Sequence, residues 1–224
     1  MNISSLDLPE KSIEFLHDQG FKTLYPPQTE CIKNGLLENN NLIVSTPTAS
    51  GKTLVAIIST LQHIQNEGKI IYLSPLRALA SEKYSDFKKL ESLSKPDGTS
   101  IKVSISTGDF ESNSEYLKNS DIIILTNEKF DSLQRHGIKW ISKVSLIVID
   151  EIHLIGDSYR GPTLEMIISN MLISEHSPQI LGLSATINNV DEISSWINAK
   201  SVISTWRPVD LSEGVFCFGQ IDFK

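Results

Sequence analysis

The sequence predicts an α/β protein in which helices cover both faces of a doubly wound parallel sheet. One reason is that short apolar segments alternate with longer amphipathic segments along most of the 224 residues, as in repeated strand–helix units. Another is that several short segments, such as residues 122–125 and 146–149, are continuously apolar, which is typical of strands buried on both faces. Ligands bind such sheets at the carboxyl ends of the strands, so functional residues are expected directly after the strands.

The predicted elements follow one another without an internal repeat or a low-complexity segment. Strands are predicted at residues 41–45, 69–74, 101–106, 121–126, 146–149 and 179–184. Helices are predicted between them at residues 52–67, 76–93, 128–135, 162–175 and 190–198. Three regions result: an N-terminal pair of helices broken at Gly20 (1–38), the strand–helix domain (39–200), and a segment of short strands around Trp206 (201–224).

The composition excludes several classes of protein. With 40% hydrophobic and 21% charged residues, the chain is neither a disordered tail nor a coiled coil nor a collagen-like fibre. Lysine and arginine number 20 against 27 acidic residues, a net charge of −7, so any binding of nucleic acid must come from a local site. The two cysteines, Cys31 and Cys217, are too far apart to indicate a disulfide framework or a zinc site.

Signals for secretion or membrane insertion are not found in the sequence. The first residues carry neither a basic segment nor an apolar run, and the longest apolar runs fall far short of the roughly 18 residues that a membrane-spanning helix needs. We therefore expect a soluble, cytoplasmic protein without a membrane partner.

A phosphate-binding loop is predicted after the first strand. Residues 46–53 match the pattern G-x-x-x-x-G-K-[ST], except that Thr46 replaces the first glycine. Small residues allow successive backbone N–H groups to converge on a triphosphate, and the positive end of the following helix points at the anion. The residues expected to bind the cofactor ATP are Thr48, Ala49, Ser50, Gly51, Lys52 and Thr53. The alternative is an ordinary turn that precedes a helix with an incidental lysine.

Two adjacent acids follow the continuously apolar segment 146–149. Carboxylates at the end of a buried strand are costly unless a cation neutralises them, as Mg²⁺ would. Asp150 is expected to hold Mg²⁺ through its water shell beside the Thr53 hydroxyl, while Lys52 reaches the β- and γ-phosphates. Glu151 is placed to orient the attacking water and to accept its proton. The alternative is a helix N-cap, a position that favours aspartate.

Together these motifs resemble the first motor lobe of a superfamily-two helicase, a RecA-like domain that binds ATP through a phosphate loop. The resemblance covers nearly the whole chain and makes residues 39–200 the ATP-binding motor domain. It also implies an adenine-recognition motif at residues 25–28, in which the Gln28 amide both donates and accepts hydrogen bonds, as adenine requires. Without the other motifs, Gln28 would be read as an ordinary surface residue of a helix.

The resemblance also supplies a coupling motif and a branch of the family. Ser184 and Thr186, at the end of the last predicted strand, would couple hydrolysis to movement. His153 would sense the γ-phosphate, although a lone histidine is more often structural. Segments 150–157 and 160–165 are similar to the Ski-like branch and, within it, to archaeal replication-restart DNA helicases. RNA-processing relatives share much of this pattern, so DNA is the favoured substrate and RNA the alternative.

Contacts with nucleic acid are implied by the same resemblance. The residues expected to meet the phosphates of single-stranded or forked nucleic acid are Arg77, Thr107, Gly108, Asp109 and Thr126. Hydroxyl groups, backbone N–H groups and helix N-termini hold phosphate without a large positive charge. The alternatives are a solvated helix residue for Arg77 and an N-cap for Thr126. Arg160 either pairs with Asp157 or Glu165 or makes a functional contact of its own.

One component of the helicase mechanism is not found in the sequence. Phosphoryl transfer needs positive charge on the γ-phosphate, which motors of this class take from arginines of a second lobe. None of the arginines here lies in an arginine- and glycine-rich segment, so we expect residues 201–224 to lead towards a second motor lobe of the same polypeptide. The expected protein is an ATP-dependent helicase of replication restart or repair, of which this chain alone hydrolyses ATP slowly or not at all.

Two other classes of protein remain as alternatives. A nucleotide-dependent scaffold would bind ATP without separating strands. It has no use, however, for the water-orienting carboxylate of Glu151, which completes a catalytic set with Lys52 and Asp150. A small-molecule kinase would share the phosphate loop, but the sequence offers no evident acceptor site or lid arginine. The helicase is therefore the favoured interpretation.

Overall fold

The central sheet of the protein contains seven parallel strands in the part of the chain that a computed structural model describes. The described residues are 1–66, 68–108, 114–175, 177–185, 189–210, 212, 214–217 and 220–223. The strands are β1 (Leu42–Ser45), β2 (Lys69–Ser74), β3 (Val103–Ser106), β4 (Ile122–Thr126), β5 (Val144–Ile149), β6 (Gln179–Ser184) and β7 (Lys200–Ile203). Their order across the sheet is β3-β4-β2-β5-β6-β1-β7. Two further strands, β8 (Gly214–Cys217) and β9 (Gln220–Phe223), pair antiparallel with each other.

Helices connect the strands and cover the sheet. They are α1 (Glu10–Asp18), α2 (Pro26–Lys33), α3 (Lys52–Ile64), α4 (Arg77–Lys88), α5 (Asn127–Arg135), α6 (Gly161–Leu172) and α7 (Val190–Trp196). The predicted doubly wound α/β fold is confirmed, and each predicted strand and helix has a counterpart. The predicted helix 76–93 is divided, because α4 gives way to a 3₁₀ turn at Lys89–Ser92. Every helix in the described ranges is too short or too polar to cross a lipid bilayer.

Two hydrophobic cores lie on opposite faces of the sheet. Successive side chains of a strand point to opposite faces, so Ile70 and Tyr72 of β2 enter one core while Ile71 and Leu73 enter the other. Helices α1 to α4 cover the first face, and α5 to α7 cover the second. Continuously apolar strands are stable here because both faces are covered, and each fully buried isoleucine contributes about 1.5–3 kcal/mol.

Both flanking segments of the chain contribute to this structure. Leu16 of α1 is buried in the same core as Val44 of β1. At the other end, β7 pairs with β1, so that Val202 lies beside Val44. The sequence analysis expected short strands here but not a place in the sheet, because Val202 is the one buried residue of this edge strand and leaves no apolar run. The division of the chain after residues 38 and 200 stays a prediction.

The order of the strands brings three carboxyl ends to one place. β6 pairs with β1 on one side, where Ser184 lies beside Ser45, and with β5 on the other, where Gly182 lies beside Ile149. The loop after β1 and the acids after β5 therefore flank the end of β6.

A buried histidine ties α3 to β5 and β6. His63 is 4% exposed, its Nε2 lies 2.7 Å from Gln179 Oε1, and its Nδ1 lies 3.0 Å from Ser145 Oγ. The Gln179 amide nitrogen donates to the carbonyls of Leu36 and Asn40, which makes Oε1 the acceptor. His63 therefore carries its proton on Nε2 and accepts at Nδ1 from Ser145. Burial lowers the pKa of His63, and the hydrogen bond to Gln179 opposes this effect only in part.

Protonation of His63 should destabilise the fold. Its pKa lies below the ordinary value of 6.5, so the stability that it supports is complete above that pH. The stability is then lost as the pH falls towards the folded-state pKa, at no more than about 1.4 kcal/mol per pH unit. Urea unfolding at several values between about pH 7.5 and about pH 5 measures the decline.

Two variants separate this histidine from other titrating groups. His63→Gln should flatten the decline, because no proton is then taken up at this position on unfolding. His136→Gln, at an exposed position at the end of α5, serves as the reference for the loss of one histidine outside this buried cluster. Equal slopes for wild type and His63→Gln would contradict the prediction.

Candidate nucleotide site and adjoining groove

The loop after β1 is anchored to the end of β6. The Thr46 N–H donates to the Ser184 carbonyl (3.2 Å), and the Ser45 hydroxyl donates to the Ala185 carbonyl (3.2 Å). Thr46 stands where the phosphate-loop pattern has its first glycine. It is fully buried, and its hydroxyl lies 2.7 Å from that of Ser50. The departure from the pattern thus adds a hydrogen bond that closes the loop.

Lys52 begins α3 and turns back onto the loop. Its ammonium group donates to two loop carbonyls, at 2.7 and 3.0 Å. Ala49 and Gly51 have φ angles of 64° and 83°, so the chain curls tightly between them, and Thr48 and Ala49 are exposed at the tip. The ammonium group of Lys52, which the sequence predicts to bind the phosphates, is therefore bonded to backbone carbonyls of the loop.

Gln28 clamps the loop against α2. Its side-chain nitrogen donates to the Gly51 carbonyl (3.1 Å), its Oε1 accepts from the Tyr25 N–H (2.7 Å), and it is 3% exposed. A Cβ at position 51 would collide with Gln28 Nε2, so glycine is needed for this contact as well as for the positive φ. The sequence analysis missed this clamp, and the predicted role of Gln28 in binding adenine stays a prediction.

Asp150 is held by a buried tyrosine that the sequence analysis also missed. The Tyr72 hydroxyl on β2 donates to Asp150 Oδ2 (2.9 Å), and the Glu151 N–H donates to Asp150 Oδ1 (3.2 Å). Tyr72 is fully buried, and burial, reinforced by the nearby Asp150 carboxylate, raises its pKa well above the usual range. The phenol therefore stays a donor at neutral pH. The signal available in the sequence was the tyrosine hydroxyl within the otherwise apolar residues 70–73.

Glu151, His153 and Ser184 come together beside the acids. His153 Nδ1 lies 2.9 Å from the Ser184 hydroxyl oxygen and 3.2 Å from Glu151 Oε2. Within the described residues, Glu151 Oε2 is shielded from solvent but lacks a well-aligned hydrogen bond. Glu151 also has a φ of 53°, in a left-handed region that strains most side chains and recurs at functional sites. Thr186, the other predicted coupling residue, lies outside the described residues.

Charges of both signs share this site. Burial lowers the pKa of Lys52, and the carboxylates of Glu151 and Asp150 act in the opposite direction. Lys52 follows β1 and the two acids follow β5, on either side of β6 in a parallel sheet, so the three charged groups lie at one edge of the sheet. A second ammonium group, that of Lys83 on α4, also lowers the pKa of Lys52 and lies 3.2 Å from the Thr53 hydroxyl oxygen.

The donor set fits a magnesium ion that arrives with a nucleotide. Mg²⁺ keeps several waters and takes one or two carboxylates plus substrate phosphates rather than a cage of protein ligands. No cluster of three or more histidine, cysteine, aspartate or glutamate side chains that could hold a metal ion occurs among the described residues. Thr53 and Asp150 offer a hydroxyl and a carboxylate, and the hydroxyl already accepts a hydrogen bond from a cationic group.

A groove at the same edge of the sheet collects the residues predicted to bind nucleic acid. It has a volume of about 450 Å³. Its lining includes the predicted residues Arg77, Thr107, Gly108 and Thr126, together with Lys129 and Arg160. These residues lie at or beyond the carboxyl ends of β2, β3, β4 and β5, which are neighbours in the strand order. Asp109 lies outside the described residues.

Local hydrogen bonds describe the surroundings of two residues for which the sequence left alternatives open, and their roles stay predictions. The Thr126 hydroxyl accepts from the Lys129 N–H (3.3 Å), so Thr126 caps α5 as well as lining the groove. Asp157 bonds to the backbone N–H groups of Tyr159 (2.9 Å) and Arg160 (2.8 Å). Arg160 is thus part of a turn that Asp157 stabilises, and it adds positive charge to the groove.

Comparison with known proteins identifies the family of this domain. Residues 25–193 match the family of DEAD/DEAH box helicases, and this match includes the loop, both acids and the groove. The chain belongs to this family. Membership confirms the predicted RecA-like motor domain, and a DEAD/DEAH box helicase domain is a nucleotide-binding domain of an enzyme.

Relatives of this DEAD/DEAH box domain are described as ATP-dependent DNA helicase Hel308. The protein of Pyrococcus abyssi is 50% identical over 98% of this chain and 30% of its own length. That of Methanocella arvoryzae is 49% identical over 100% of the chain, and that of Thermococcus kodakarensis is 48% identical over 99%. The chain spans 19–30% of the length of these three relatives. The predicted similarity to archaeal DNA helicases is confirmed, and the roles of single residues stay predictions.

Gly51→Ala should release the clamp between the loop and α2. The positive φ should cost about 1–2 kcal/mol of unfolding free energy. Displacement of the Gln28 amide by the new methyl group should cost about 1 kcal/mol more. Gly20→Ala is the matched control, because Gly20 has a φ of 87° but no atom within 4 Å of the added Cβ. Urea unfolding measures both variants, and equal losses would show that the collision with Gln28 does not matter.

Proposed function

We propose that this helicase domain binds Mg²⁺·ATP and hydrolyses it, and that in the whole protein hydrolysis drives movement along single-stranded or forked DNA. The observation that carries the proposal is the gathering of complementary groups at the carboxyl ends of β1, β5 and β6. These groups are the Lys52 ammonium, the Thr53 hydroxyl, the carboxylates of Asp150 and Glu151, and the His153–Ser184 pair.

Binding of the triphosphate would use the loop and the start of α3. The Lys52 ammonium would exchange two loop carbonyls for the β- and γ-phosphates. Each bond from the charged ammonium to a carbonyl is worth about 1.5–3 kcal/mol, and a phosphate competes successfully because it adds a full opposite charge to the hydrogen bond. The N-terminus of α3 adds unpaired N–H groups and the positive end of its dipole. The Gln28 clamp limits how far the loop can open, because it holds Gly51.

Magnesium would be held by Thr53 directly and by Asp150 through water. When bound, the ion neutralises phosphate charge and aligns the β- and γ-phosphates. The Tyr72 hydroxyl occupies one oxygen of Asp150 and thereby fixes the carboxylate plane. The other oxygen accepts from the Glu151 N–H, which links the orientations of the two acids.

Glu151 would act as the base for the attacking water. Its Oε2, which lacks a well-aligned hydrogen bond among the described residues, would accept a proton from the water as the water oxygen bonds to the γ-phosphorus and the bond to the bridging oxygen breaks, which releases ADP. His153 lies between this oxygen and Ser184, at the end of β6, where the predicted coupling segment begins. Loss of the γ-phosphate on hydrolysis would therefore affect that segment through the contact of Glu151 with His153 and that of His153 with Ser184.

The adjoining groove would hold the phosphates of one nucleic-acid strand. Arg77, Lys129 and Arg160 supply positive charge, and the start of α5 supplies backbone N–H groups. DNA is favoured over RNA because the similar proteins of three organisms are described as DNA helicases. From the resemblance of its sequence motifs, we also propose that the whole protein acts in replication restart or repair. Arginines of a second motor lobe would supply the positive charge on the γ-phosphate.

Glu151→Gln should separate binding from hydrolysis. The amide cannot accept the proton of the attacking water, so ATP turnover by the whole protein in the presence of nucleic acid should fall by about 100-fold or more. Binding of a fluorescent ATP analogue should change little. Lys52→Ala should lose that binding, and Glu192→Gln, on the exposed surface of α7, should keep both activities. Unchanged turnover in Glu151→Gln would point to a nucleotide-dependent scaffold or to a different base.

Arg160→Gln should weaken DNA binding and its dependence on salt. Loss of one phosphate contact should lower the affinity for a labelled single strand and reduce the salt slope by about one. Fluorescence anisotropy over a range of salt concentrations measures both quantities. Arg135→Gln is the control, because the Arg135 guanidinium is exposed and pairs with Asp131 at 2.7 Å. Equal affinities and salt slopes for the two variants would show that Arg160 has a structural role. Tighter binding of an RNA strand of the same sequence would favour the RNA alternative.

A further inference from the structure

Lys83 reaches from α4 to the start of α3 and contacts a candidate metal ligand. Its Nζ lies 3.2 Å from Thr53 Oγ1, and its side chain is only 13% exposed although it carries a full charge. The same ammonium group lies 3.2 Å from Glu82 Oε1, whose side chain is 62% exposed. Lys83 therefore has one partner inside the nucleotide site and another at its rim.

We propose that the Lys83 ammonium and Mg²⁺ compete for the Thr53 hydroxyl, and that Lys83 thereby sets the magnesium concentration at which the domain binds nucleotide. The inference rests on the proposed function of the site, because it concerns the metal that accompanies ATP. It makes Lys83 a positioning residue that acts on binding and not a catalytic residue.

The competition follows from the chemistry of the two cations. An ammonium group has only donors, so its bond to Thr53 uses a lone pair of the hydroxyl oxygen. Mg²⁺ needs the same oxygen as a ligand and requires near-ideal octahedral geometry at about 2.0–2.1 Å. An ammonium and a divalent ion on one oxygen also repel each other strongly in a partly buried site. Lys83 must therefore leave Thr53 when the metal binds.

The charges around the site support such an exchange. The Lys83 charge acts on Lys52, and the carboxylates of Asp150 and Glu151 act on Lys52 in the opposite direction, so all four groups belong to one electrostatic cluster. Two ammonium groups balance two carboxylates there. Mg²⁺ would replace the positive charge of Lys83 beside the two carboxylates. The displaced ammonium would keep its contact with the exposed Glu82 carboxylate.

Lys83 has a second conceivable role, which predicts the opposite result. If its ammonium instead held a phosphate of the nucleotide, removal of the charge would weaken nucleotide binding even at saturating magnesium. Competition for Thr53 predicts unchanged or tighter binding at saturating magnesium and a lower magnesium requirement. The position of the magnesium midpoint and the final affinity therefore distinguish the two roles.

The test is a magnesium titration of nucleotide binding to the purified protein. A fluorescent ATP analogue at fixed concentration is titrated with MgCl₂ for wild type, Lys83→Met and Lys88→Met. Lys83→Met keeps an unbranched side chain without the charge, and the magnesium midpoint should fall by about three- to tenfold. Lys88→Met removes an exposed charge from the same helix and should keep the wild-type midpoint. Lys83→Arg, which keeps the charge, should also stay close to wild type.

Each outcome bears on the proposal. An unchanged or higher midpoint in Lys83→Met overturns it, as does weaker binding of the analogue at saturating magnesium. Circular dichroism checks the fold of each variant, and Lys83→Gln repeats the measurement with a polar side chain if Lys83→Met is unfolded. Failure of the wild-type protein to bind the analogue at any magnesium concentration would instead overturn the proposed function.

Discussion

β6 lies between β1 and β5, and the parallel register of these three strands is the constraint on which the nucleotide site depends. Because the strands run in the same direction, their carboxyl ends bring the loop, the acids and Ser184 to one edge. The bond from Thr46 to Ser184 extends the ladder by one residue, so the loop starts at a fixed height above the acids. The two cores protect this register, since a slip of one residue would send apolar side chains to the wrong face.

Several residues hold the functional groups without taking part in the proposed chemistry. Tyr72 fixes Asp150, Gln28 holds the loop at Gly51, and the Thr46 hydroxyl closes the loop on itself. Hydrogen bonds of this kind are stronger in a buried environment, and an unpaired partner there is costly. The site is therefore held in place by its supporting contacts as much as by its own residues.

Local patterns in the sequence predicted most of the fold and the principal site residues. The apolar runs marked the strands because both faces of the sheet are buried, and the loop was visible because phosphate chemistry demands a lysine and a hydroxyl at fixed spacing. Contacts between distant segments were not visible. Tyr72 meets an acid 78 positions later, Lys83 reaches 30 positions back, and β7 joins the sheet with one buried residue. No periodicity encodes such pairs, because they arise from the packing of separate elements.

The left-handed backbone of Glu151 costs stability at a position whose proposed role is catalytic. Glycine or asparagine would adopt a φ of 53° at lower cost, but neither offers a carboxylate to a water molecule. Under the role proposed for Glu151, a screen that rewards heat resistance alone would therefore favour substitutions that remove the base. Anyone who engineers a longer-lived form of this domain must select for catalysis in the same round.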